Sequence, residues 1–167
     1  MLKRTHGTPI PGAAFLGARI IHALLIAVLL VVITTAFGRG LYSAHVPGGA
    51  TLLRVLVMLV VGASAFSALG LALTAAIPNA DASPAIVNAS ILPILFLSGV
   101  FIPIQNHSPA WITTVARIFP VRHFVLGMDA GFLGTAFSWG DVAVVAGWGA
   151  AGLILAVRFF SWEPRVG

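Results

Sequence analysis

The run Leu95–His123, LFLSGVFIPIQNHSPAWITTVARIFPVRH, decides how the chain is read. It opens as the middle of an apolar helix. It then meets Pro103, passes Gln105, Asn106 and His107, and continues through Ser108-Pro109 into a piece that carries Arg117. Ser108 fits a helix N-cap and Pro109 the first helical position. Trp111, Ile112, Val115, Ile118 and Phe119 fall within an arc of roughly 120° at 100° per residue, with Thr113, Thr114 and Arg117 opposite. Pro120 then stops the helix. The pattern predicts an amphipathic helix of about three turns, too short to cross a bilayer. A second apolar piece, Val121–Phe137, follows. It is interrupted by Gly127, Asp129, Gly131 and Gly134. Together, residues 108–137 predict two short helices that dip into one leaflet and return, shielded by neighbouring protein. The plainer alternative is a surface helix followed by a loop.

The surroundings of that run are a membrane protein. Hydrophobic residues make up 59% of the 167 and charged residues only 8%. Soluble domains carry about 25% charged residues. Four segments approach the roughly 20 apolar residues that a spanning helix needs: about 20–37, 55–77, 85–102 and 142–160. The expected fold is therefore an all-α, polytopic membrane helix bundle. It has four transmembrane helices and a short re-entrant or interfacial segment between the last two, in a single domain over 1–167. Residues 38–54, with Gly38, Gly40, Pro47, Gly48 and Gly49, read as a loop. Pro78–Pro84 reads as a tight turn, with Ser83 and Pro84 opening the next helix. Trp139 and Trp162 flank the last span as interfacial anchors. Two stripes of small residues, Ser64/Ala68/Ala72/Ala76 and Ala143/Gly147/Ala151, predict close helix packing.

Charge and motifs exclude several functions. Nine Lys and Arg against four Asp and Glu give +5, but they are scattered and do not build a nucleic-acid surface. There is no cysteine, hence no disulfide, thiol catalysis or thiolate metal site. The five histidines are dispersed, so no metal site is expected. No GxSxG, HExxH or GxxxxGK[ST] element occurs, and the chain is expected to be neither an enzyme nor a nucleotide binder. Ionisable groups are nearly absent from the predicted spans, which argues against proton-coupled transport. Asn88, Ser90 and Ser98 are the polar groups of the third span and the candidates for lining a transport path. The bland reading of the three is helix–helix hydrogen bonding. Five cationic residues on the side of the termini against four on the other give a weak orientation signal. Lys3, Arg4 and Arg19 favour a cytoplasmic N-terminus.

The third span and its exit also resemble the permease subunits of type-2 ATP-binding-cassette (ABC) transporters. The elements that carry the resemblance are Pro93, Phe96-Leu97-Ser98-Gly99, Pro103, Pro109-Ala110-Trp111, Ala116-Arg117, and Pro120 followed by His123. The N-terminal KRTHGTPIPGAAFLGAR is similar to the family's cytoplasmic segment before its third span. The resemblance implies a permease of six spans, of which this chain is the C-terminal part, lacking the first two. It implies a multi-pass protein of the bacterial inner membrane with cytoplasmic termini. A separate ATPase subunit would dock on Lys3, Arg4, Thr8, Pro9 and Ile10. A second permease copy or paralogue would complete a dimer. ATP and Mg would be bound by the ATPase and no cofactor by this chain. The expected activity is export of a hydrophobic or amphipathic solute, of drug, antibiotic, lipid or polysaccharide class. Pro103, Trp111, Arg117, Pro120 and His123 would form an outer gate. A non-transporting membrane scaffold or assembly protein is the alternative.

Overall fold

A computed structural model describes residues 12–77, 83–100 and 109–159. Among them are six α-helices and no strand. They are α1 (Gly12–Tyr42), α2 (Gly49–Ala76), α3 (Ser83–Leu97), α4 (Ala110–Ala116), α5 (Pro120–Phe132) and α6 (Trp139–Phe159). Three stretches are long and apolar enough to cross a membrane: Gly17–Tyr42, Gly49–Thr74 and Trp139–Arg158. The fourth expected span is shorter. At 15 residues α3 reaches about 22 Å, less than a hydrocarbon core of about 30 Å.

The helix boundaries have local causes. The loop expected over 38–54 shrinks to 43–48, because Gly38 and Gly40 continue α1 instead of breaking it. α1 ends where Ser43 takes a left-handed φ of 51° and the Ala44 amide donates to the Gly38 carbonyl at 3.0 Å. α3 stops five residues short of the expected 102. There Gly99 turns left-handed (φ 86°), and the Ser98 hydroxyl donates to the Leu95 carbonyl. Pro120 does separate two helices. It ends the turn after α4 and takes the first position of α5, where no amide is needed. Gly127 and Gly131 do not interrupt α5. They are where it lies closest to α2, against Met58 and Val55.

The core is built on α2 and α6, the largest interface in the chain. A Cβ added at Gly149 would stand 2.8 Å from the Ala65 Cα, and one at Gly152 2.8 Å from the Leu69 amide nitrogen. The two helices thus approach backbone to backbone, and Met58, Ala65 and Val145 are buried between them. The packing stripe of α6 is therefore Val145/Gly149/Gly152/Ala156. The expected Ala143/Gly147/Ala151 stripe is exposed. Small residues recur on both faces of α6, so spacing alone does not choose between them. The buried positions of α2 include Ala65, Ala68 and Leu71, so the expected stripe is met at Ala68.

α2 and α6 run parallel, since Gly149 meets Ala65 and Gly152 meets Leu69. α5 runs antiparallel to α2. Its Phe124 sits against Gly62, roughly 20 Å down α2 from Gly49, while its Gly131 sits against Val55 and Pro47 near the top. α1 touches the bundle chiefly through α2, and none of the residues in its most apolar window is buried.

Gly152→Val should destabilise the bundle by about 1–3 kcal/mol through overpacking. Gly147→Val, on the exposed face, should stay within about 0.5 kcal/mol. Thermal unfolding in detergent measures both, and equal effects would refute this packing face.

Candidate functional site

The stretch from Arg117 to His123 is held by hydrogen bonds to three other parts of the chain. It is the turn between the end of α4 and the start of α5. The carbonyls that follow α4 lack intrahelical partners, and lipid would offer none. Two side chains supply them. Trp148 Nε1 of α6 donates to the Ile118 carbonyl at 2.9 Å, and His123 Nε2 of α5 lies 2.8 Å from the Arg117 carbonyl. The Trp148 ring also stacks on Phe119, with centroids 6.4 Å apart. Arg122 Nη1 donates a long bond, 3.5 Å, to the Ser98 carbonyl just beyond α3. His123 Nδ1 contacts Asp141 Oδ1 at 2.6 Å. Asp141 stands in the first turn of α6, where the free amides of the helix start favour a carboxylate. The side chains of His123 and Asp141 are only 14% and 16% exposed.

The expected gate residues divide accordingly. His123 and Pro120 lie inside this knot, Pro120 fully packed. Arg117 contributes its carbonyl while its side chain is exposed. Trp111 is 63% exposed and stands apart. The predicted amphipathic helix is shorter than expected: α4 has seven residues, and its buried position is Ala116. Ile118, placed on the apolar face, is 56% exposed. Pro103 and the docking residues Lys3, Arg4, Thr8, Pro9 and Ile10 lie outside the described residues.

The expected path residues are not gathered at one surface. Ser98 is fully buried, and its hydroxyl is spent on Leu95. The Ser90 hydroxyl donates to the Ile86 carbonyl at 2.8 Å, and Asn88 is exposed. A cavity of about 380 Å³ lies elsewhere. It opens between α1 and the end of α5 and is lined mainly by apolar atoms, with Leu30, Thr34, Thr35, His45 and Phe132 among its walls. Asp141 and Trp148 were missed by sequence reasoning. Only the shortage of acids, four in 167 residues, marked Asp141 in advance.

Residues 1–133 match the model of the ABC-2 type transporter family. The chain belongs to that family. It is the membrane component of an ABC transporter, a permease whose relatives work with ATPase partners in the lipid membrane. No curated protein and no solved structure matches it. The family match covers α1 to α5. Asp141 and Trp148, which tie α5 down, lie beyond it.

Trp148→Phe keeps the ring against Phe119 but leaves the Ile118 carbonyl without its donor. It should cost about 0.5–1.5 kcal/mol in thermal unfolding. Trp148→Ala, which also loses the stacking, should cost more.

Proposed function

We propose that this ABC-2 permease exports an apolar or amphipathic solute across a bacterial inner membrane. α1, α2 and α6 serve as its spans, α3 belongs to a fourth whose described part is shorter than the bilayer, and both termini are cytoplasmic. α4 and α5 form a re-entrant hairpin that closes the outer end. The observation that carries this reading is the register of α5. It starts beside Trp148 and Gly62, deep along the spans, and climbs back to Pro47. A helix of 13 residues in that place neither crosses the bilayer nor lies on it.

The energy comes from ATP hydrolysed on a separate subunit. That assignment is supported by family membership and by a sequence without a phosphate-cradling glycine loop. The subunit docks on the N-terminal segment, through Lys3, Arg4, Thr8, Pro9 and Ile10. The chain works as a dimer with a second permease. What supports an apolar solute is the cavity between α1 and α5, whose few polar groups are Thr34, Thr35 and His45. Asn88 is the polar residue of α3 left free to face a path, since the hydroxyls of Ser90 and Ser98 are bonded within their own helix.

The chain has no cysteine, so single introduced ones report cleanly. A cysteine at Thr8 or Ile10 should cross-link to the ATPase in the assembled complex; absence of any cross-link would overturn the docking assignment. Asn88→Leu should lower ATP-dependent export in proteoliposomes without loss of folded protein. If export and substrate range stay unchanged, Asn88 does not line the path. Should the assembled complex fail to move any apolar solute, the scaffold reading takes over.

A further inference from the structure

Both ring nitrogens of His123 are engaged, and their partners fix how many protons the site holds. The Arg117 carbonyl can only accept, so Nε2 carries a hydrogen. Nδ1 lies 2.6 Å from Asp141 Oδ1. Two unprotonated acceptors do not approach that closely, so a hydrogen lies between them as well. The pair can be drawn as imidazolium and carboxylate or as neutral imidazole and carboxylic acid. Either way it holds one proton more than a neutral ring beside a free carboxylate.

The other charged groups near this ring do not replace that proton. On α4 the Arg117 side chain is exposed, and only its carbonyl meets the ring. On α5 the neighbouring Arg122 is directed to the Ser98 carbonyl. Asp129 is six residues further along α5, on another face of the helix. On α2 the one cation, Arg54, lies over the Phe137 ring, 5.8 Å from its centre. α6 offers Asp141 itself, and its other charged residue, Arg158, is in the last turn.

We infer that the proton shared by His123 and Asp141 is a latch that lets one ring hold the end of α4 and the top of α6 together, and that its loss to water frees the end of α4. Without the proton the neutral ring has one hydrogen for two acceptors, and the carboxylate is the stronger of them. The ring then keeps Asp141 and gives up the Arg117 carbonyl. The end of α4 is left held to α6 by the Trp148 bond and the Phe119 stacking. The partial exposure of both side chains gives the proton a way out. High pH on the hairpin side therefore loosens the segment, and low pH holds it. The extension from the latch to transport rests on the outer-gate reading above.

Two substitutions separate the proton from the contact. In Asp141→Asn, the amide donates to Nδ1 while Nε2–H stays on the Arg117 carbonyl, so a neutral ring closes the latch without the extra proton. His123→Ala removes the latch at every pH. Spin labels on cysteines at the exposed Thr114 of α4 and Ile154 of α6 report the hairpin's position. The full chain is placed in phospholipid nanodiscs, and distances are measured by double electron–electron resonance from about pH 5 to about pH 9. The unsubstituted latch should give a narrow distribution at the acid end and one broadened or shifted by a few ångström at the alkaline end. Asp141→Asn should be narrow throughout and His123→Ala broad throughout. A distribution that ignores pH, or an Asp141→Asn response equal to that of the unsubstituted protein, would overturn the latch. Export by the complex with its ATPase, measured at the same pH values, tests the gate separately. If the distances respond and export does not, the latch stands and the outer-gate assignment falls.

Discussion

Lipid offers no hydrogen bonds, and this constraint shapes the turn between α4 and α5. A helix that crosses a bilayer satisfies its own backbone; one that stops part-way does not. α4 stops after seven residues, and the carbonyls of Arg117 and Ile118, just past its end, have no helical partner. One is met by an indole from α6 and the other by an imidazole from α5. The imidazole is in turn held by a carboxylate from α6. Polar side chains that look out of place in so apolar a chain thus supply the partners that lipid would not. Pro120 works to the same end, since the first position of α5 is one where a missing amide leaves nothing unsatisfied.

Against this demand for polar partners stands a packing constraint of the opposite kind. Gly149 and Gly152 bring α6 onto the backbone of α2, and Gly127 and Gly131 make room in α5 for the Met58 and Val55 side chains of α2. Such contact leaves no width for larger side chains, and it sets the registers that align Asp141 with His123 and Trp148 with Ile118. The hydrogen bonds and the glycines depend on one another. A shift of α6 by one turn would carry both Trp148 and Asp141 past their partners.

The class of fold, its helices and the break at Pro120 were legible in the sequence because hydropathy, proline and capping act locally. Ser83 and Pro84 do open α3, and the interrupted stretch after Pro120 does pack as a short helix instead of a span. Three features were hidden. Gly38 and Gly40 read as loop formers, yet in an apolar helix the cost of glycine is outweighed by the cost of exposing backbone to lipid. On α6 two small-residue faces compete, and only the shape of α2 selects the one with Gly149 and Gly152. The partner of His123 is 18 residues away on another helix, at a separation that no local pattern encodes. Of the candidate site, His123 and Pro120 were readable from the motif; the residues that restrain them were not.

The bareness of α1 has a mechanical consequence. α2 and α6 are joined backbone to backbone, and α5 takes α2 side chains into the notches of Gly127 and Gly131, so the three cannot slide past one another without opening gaps. α1 rests chiefly on α2, has no buried residue in its most apolar window, and hangs from the loop 43–48. The molecule therefore divides into a stiff block and a swinging arm. A force applied at the N-terminal end of α1 would turn it about that short strap and leave the block undeformed.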